Sequence, residues 1–253
     1  VGSTGRGKTT FARNLCQKIR KLPEANASVF FIDPKGIDAP KLLEEVELDD
    51  SVTYLDPVRG FSFNPLALPP YEPARRDQVV SLHIGYFLNL IHNWYAKSDL
   101  STYAPRMMWL LESTLRYLYR QTDNPTFGDI VDVGHLFLKH DQEKINAFLS
   151  KIEQGEDKLI DYELTTELQA IGKIQKDAWF PILTRISRFV TDPFLSKIFN
   201  VRRGTVDFLD LLKPGRLTVV RAAGLGSQIL PFFISALILG IWFGVRYRHE
   251  VLR

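Results

Sequence analysis

The chain has 253 residues, 45% hydrophobic and 24% charged, enough to bury a substantial core in one or two domains of an ordinary globular protein. A net charge of +3 does not imply a nucleic-acid partner by itself. A single cysteine, Cys16, excludes an internal disulfide and fits a reducing compartment. The basic excess is local: residues 201–253 hold eight Lys and Arg, Arg202 and Arg203 among them, against three Asp and Glu.

The chain opens on Gly2-Ser3-Thr4-Gly5-Arg6-Gly7-Lys8-Thr9, which fits the phosphate-loop pattern G-x-x-x-x-G-K-[ST]. Each fixed position has a physical reason. Gly2 and Gly7 permit backbone angles and close approaches that a Cβ would block, and Gly5 adds flexibility. Successive N–H groups then form an anion-binding concavity at a helix N-terminus, where the helix dipole adds to the attraction. Lys8 is expected on the β- and γ-phosphates, and the Thr9 hydroxyl on Mg2+. Expected nucleotide contacts are Gly2, Ser3, Thr4, Gly5, Arg6, Gly7, Lys8, Thr9 and Thr10. Arg6 either is solvated or reaches across a subunit boundary. The guanine-reading N/T-K-x-D motif is absent from the sequence, which favours ATP. With only Val1 before the loop and no initiator Met, the chain reads as part of a longer protein.

Residues 9–22 have helical spacing. Phe11, Leu15, Ile19 and Leu22 share one face, Cys16 reads as a small buried hydrophobe, and Pro23 stops the helix. Residues 28–32 (SVFFI) read as a buried strand that breaks at Asp33-Pro34-Lys35-Gly36. A short helix over 41–46 and a second strand over 52–55 follow, the latter broken at Asp56-Pro57. Strand, helix, strand with short connections predicts a parallel sheet.

A Pro-rich stretch from Asn64 to Pro73 marks a boundary, beyond which the periodicity is helical: 75–96, 104–121, 128–139, 141–153 and 161–190. Thr126-Phe-Gly-Asp129 is a capping-box-like start. The sheet resumes at 217–220 and leads into an apolar helix over 229–248. Residues 229–245 carry no charge. At 17 residues they fall short of the roughly 20 a spanning helix needs, so a buried core helix is the preferred reading over a membrane segment.

Several of these pieces resemble the HerA/FtsK superfamily. The passage ending Asp33-Pro34-Lys35-Gly36 is similar to that superfamily's second core strand. Tyr54-Leu-Asp56-Pro57, followed by Phe63-Asn64-Pro65-Leu66, resembles a passage of conjugative coupling proteins (the TraG/TraD type) and of HerA-like ATPases. The helical stretch stands where coupling proteins carry an all-α domain, and the run from Arg185 through Val220 is similar to the return to the core. The resemblance implies an α/β fold: a RecA-like P-loop parallel sheet flanked by helices and interrupted by an all-α insertion domain. Residues 1–74 and 201–253 would form the nucleotide-binding domain, and residues 75–200 the insertion. It implies an ATPase with ATP and Mg2+ as cofactors, assembled as a homo-oligomeric ring, usually a hexamer, that moves DNA without sequence preference. The location implied is the cytoplasm, or the cytoplasmic face of the membrane where coupling proteins join membrane-anchored secretion machinery. Asp33 would lie beside the nucleotide. The family's Walker B strand, ending in Asp-Glu, should follow the 229–248 helix and is not in this sequence. Alone, the chain is therefore expected to bind nucleotide and hydrolyse it poorly.

Other readings stay open. The motor could move protein rather than DNA, as a secretion or pilus ATPase does, or ATP could order an assembly with incidental turnover. Arg185, Arg188, Arg202, Arg203 and Arg221 are candidates for an arginine acting on a neighbouring subunit's γ-phosphate. The Arg202-Arg203-Gly204 turn is the favoured contact for DNA phosphate or a subunit. The aromatics of the insertion read better as core than as base-stacking platforms, and the five histidines show no metal-ligand spacing.

Overall fold

The computed structural model describes residues 7–22, 26–95, 104–138, 143, 146 and 176–251. In chain order its main elements are α1 (Lys8–Arg20), β1 (Val29–Asp33), α2 (Asp38–Glu45), β2 (Val52–Leu55), α3 (Arg76–Tyr95), α4 (Ala104–Gln121), α5 (Phe127–Leu138), α6 (Lys176–Ile186), α7 (Arg188–Thr191), α8 (Pro193–Phe199), α9 (Phe208–Leu211), β3 (Leu217–Arg221) and α10 (Leu230–Val251). They gather into two compact units, Val1–Phe63 with Gly204–Arg253, and Asn64–Arg203. The sequence reading draws these switches at 74/75 and 200/201. The first falls at 63/64 because Asn64 and Leu66 are tied into the helical unit: Asn64 Nδ2 donates to the Pro125 carbonyl at 2.8 Å, and the Tyr119 hydroxyl to that of Leu66 at 2.6 Å. The expected helix over 141–153 and the start of that over 161–190 lie outside the described residues, apart from isolated positions.

The first unit is mixed α/β, with a small three-stranded parallel sheet flanked by helices. The order is β1-β3-β2, so the last strand in sequence lies between the first two. Val29 pairs with Leu217 and Asp33 with Arg221 along one side of β3, and Val52 with Leu217 and Leu55 with Val220 along the other. Leu217 to Val220 are all buried, as expected for a parallel strand flanked on both sides and covered on both faces. On one face Phe31, Leu217 and Val219 pack with Ala39 and Leu42 of α2, and Ala12 and Cys16 of α1 close over them. The expected stripe on α1 therefore points elsewhere: Phe11 is 68% exposed, Leu15 42% and Leu22 52%. The helix seats on the sheet through its small side chains instead. Cys16 is half-buried there, and burial pushes its thiol pKa up.

After β2, Phe61 and Phe63 stack with centroids 5.6 Å apart and meet Phe233 of α10 edge-on, and Phe63 also meets Phe208 of α9. Gly240 and Gly244 form the seat for α9, since a Cβ on Gly240 would lie 2.8 Å from Phe208 Cζ and one on Gly244 2.6 Å from Leu212 Cδ1. By length and composition α10 is apolar enough to cross a membrane. One side of it, with Phe233, Leu237, Phe243 and Tyr247, is buried in the fold; Ile238, Trp242 and Val245 line the other.

The second unit is helical in its described residues. α3 packs on α4, and α6 on both α4 and α5. Its core is aromatic: Phe127 and Phe189 stack at 4.6 Å, Phe199 meets Phe189 edge-on at 5.1 Å, and Phe87 is fully buried. Tyr117 and Tyr119 are buried too, whereas Tyr86 and Trp109 are more than a third exposed. Thr126 and Asp129 form a reciprocal cap on α5: the Thr126 N–H donates to the Asp129 carboxylate at 2.7 Å, and the Asp129 N–H to the Thr126 hydroxyl at 3.3 Å.

Candidate functional site

Two arginines fix the direction of α1. Mid-helix, Arg13 lies 3.2 Å from Glu45 at the end of α2 and 3.7 Å from Asp38, which opens α2 just beyond the carboxyl end of β1. At its far end Arg20 meets Asp49 and the Ser51 hydroxyl, both at 2.6 Å, just before β2 begins. The helix thus runs antiparallel to the strands, and its first turn, Lys8, Thr9 and Thr10, lies toward their carboxyl ends. In open α/β sheets that edge is where ligands bind.

Gly7 precedes this turn with φ 72° and ψ 11°, the left-handed conformation that glycine adopts without penalty. Its carbonyl accepts from the Phe11 N–H at 2.9 Å. The N-cap residue gives no side-chain hydrogen bond to the helix, and no acidic residue stands in the helix's own first turn. Lys8, Thr9 and Thr10 are exposed. Gly2, Ser3, Thr4, Gly5 and Arg6 lie outside the described residues.

Three loops follow the strands at the same edge. After β1, Asp33 is 5% exposed and its carboxylate accepts three backbone N–H groups: Lys35 at 3.0 Å, Asp38 at 2.7 Å and Ala39 at 2.8 Å. This is an Asx turn that also caps α2, a structural role the sequence did not disclose. After β2, Asp56 is 2% exposed and accepts from the Val58 N–H at 2.9 Å and the Tyr54 hydroxyl at 3.1 Å. Burial and the adjacent carboxylate push the Tyr54 pKa up. At the end of β3, Arg221 donates from Nη1 to Asp56 at 3.0 Å and from Nε to the Gly36 carbonyl at 3.4 Å. Its hydrogen bond to Asp56 holds its pKa above the usual value. Sequence reasoning missed this Tyr54, Asp56 and Arg221 cluster. Its parts stand at strand ends, but only the order β1-β3-β2 brings Arg221 beside Asp56.

The arginine candidates separate on geometry. Arg221 is held by Asp56. Arg202 donates to the Asp129 carboxylate at 3.0 Å and the Asn124 carbonyl at 3.2 Å, bracing the α5 cap, while Arg203 beside it is exposed. Arg185 donates to Pro181 of its own helix at 3.4 Å. Among the described residues no group of three or more His, Cys, Asp or Glu is placed to hold a metal ion.

Compared with known proteins, the chain matches no family model and no curated sequence.

Proposed function

We propose that the chain is the ATP- and Mg2+-binding part of a P-loop motor of the HerA/FtsK kind, with a RecA-like core and DNA as the polymer it moves. The observation that carries the nucleotide site is the first turn of α1. A left-handed Gly7, no capping side chain, no first-turn acid and the Lys8-Thr9 pair together suit a triphosphate at the carboxyl edge of a parallel sheet. Lys8 would hold the terminal phosphates, the backbone N–H groups of the turn would orient them, and the Thr9 hydroxyl would hold the metal. Bound Mg2+ supplies neutralisation of phosphate charge. The choice of DNA as cargo, the ring and a place at the cytoplasmic face of a membrane rest on the motif order alone.

Fluorescence titration with mant-ATP and Mg2+ tests the site. The chain should bind, and Lys8→Ala should raise Kd by at least about tenfold with the melting temperature unchanged. Equal affinity in the two proteins refutes the assignment. DNA tests the cargo: double-stranded DNA of mixed sequence should raise the turnover rate of the full protein, and no stimulation would favour protein cargo or a nucleotide-gated assembly.

A further inference from the structure

Arg221 joins parts of the chain that are far apart in sequence. Its Nη1 is 3.0 Å from the Asp56 carboxylate, whose side chain is 1% exposed, and its Nε is 3.4 Å from the Gly36 carbonyl. The loop after β1 is pressed against the same strand end from its other side. Gly36 has φ +70°, and a Cβ there would lie 2.3 Å from Ala223 Cβ and 2.9 Å from Arg221 Nε. The loop after β3 touches that after β2 in turn, since a Cβ on Gly224 would sit 3.1 Å from Val58 Cγ2. The Ala222 N–H donates to the Asp33 carbonyl at 3.0 Å. The three post-strand loops are therefore interlocked, and the Arg221 side chain hydrogen-bonds to both of the other loops. Guanidinium suits this because its planar fork donates in two directions at once, which a lysine ammonium on a flexible stem does not reproduce.

We propose that Arg221 is a positioning residue for the nucleotide site: it locks the loops after β1 and β2 into one rigid rim at the edge where the first turn of α1 lies. The proposal rests on the nucleotide reading given above. Asp33, Lys35 and Gly36 are placed by this rim, so whatever part of a bound nucleotide meets the loop after β1 meets it in one fixed position. Arg221 touches no reacting atom. Its contribution is that the loop is already ordered before the ligand arrives.

The deciding variant is Arg221→Lys. It keeps a cation beside the buried Asp56, so the pair is not broken, but it loses the fork that spans both loops. Mant-ATP affinity in the presence of Mg2+ should fall roughly tenfold, as is typical when a residue that orients ligand-contacting groups is lost, with the melting temperature of the nucleotide-free protein within a few degrees of wild type. Gly36→Ala attacks the same joint from the other loop without changing charge, and should weaken binding in the same direction. If both variants bind mant-ATP as wild type does, Arg221 is only a structural ion pair and the proposal is overturned. If wild type itself does not bind, or Lys8→Ala binds equally well, the nucleotide reading has failed and this inference falls with it. Wild-type binding abolished by Lys8→Ala, beside unchanged Arg221→Lys and Gly36→Ala, leaves the nucleotide reading standing and removes only the rim.

Discussion

His83 should make the helical unit acid-sensitive over a defined pH range. Its ring is 3% exposed, and burial lowers its pKa from 6.5 to about 4. The Tyr119 hydroxyl donates to the Leu66 carbonyl at 2.6 Å and lies 2.9 Å from His83 Nδ1. With the hydroxyl proton committed to Leu66, the ring donates from Nδ1, and acid must protonate Nε2 inside the core. The unfolded chain takes up that proton near pH 6.5, whereas the folded chain resists it until about pH 4. The stabilisation is therefore complete above pH 6.5 and declines as pH falls toward 4. At one pKa unit per 1.36 kcal/mol, the loss between pH 7 and pH 5 comes to about 2 kcal/mol. In urea this shifts the midpoint by about 1 M for a unit of this size. Trp94, Trp109 and Trp179 all belong to the helical unit, so tryptophan fluorescence in a Trp242→Phe background reports on that unit alone. The same titration on His83→Met should lose the slope between pH 7 and pH 5. An unchanged slope in that variant, or a flat wild-type profile, refutes the reasoning.

Two substitutions probe the other unit. Asp33→Ala removes the acceptor of three N–H groups at the start of α2 and should lower stability by about 2 kcal/mol by urea denaturation, with only part of that cost recovered in Asp33→Asn, whose single amide oxygen can serve Asp38 and Ala39 while its NH2 faces the Lys35 N–H. Gly240→Leu drives a side chain into Phe208 and should lower the melting temperature by several degrees, equivalent to about 1–3 kcal/mol; an unaffected protein would mean that α9 is not seated there.

What could be read from residues alone was local and periodic. The runs VFFI, VTYL and LTVV are β-branched and aromatic between turn residues, and all three became strands in a parallel sheet. Thr126 and Asp129 stand three apart at the head of an apolar run, and they cap α5 as that spacing requires. What depended on tertiary choice was not legible. Periodicity put Phe11, Leu15 and Leu22 on one face of α1 but did not say which face the sheet would take; Ala12 and Cys16 took it. Asp33 was visible as the first residue of a turn, but its three N–H partners depend on where α2 begins. The candidate site was half legible. Gly7, Lys8 and Thr9 follow from a motif with fixed spacing, whereas Arg221 and Asp56 stand 165 positions apart and meet only because β3 lies between β1 and β2.

That strand order also has a consequence for synthesis. β1 and β2 leave the ribosome before β3, and the strand that separates and pairs both of them comes roughly 160 residues after β2. At about 5–20 residues per second the two wait some 8–30 s with bare hydrogen-bonding edges and apolar faces. Loop closure over such a distance is slow as well as late. Through that interval the nascent chain is a substrate for holdase chaperones and for misassembly with its neighbours on the same message. The time at which Leu217–Arg221 arrives therefore matters to the assembly of the sheet beside its final stability.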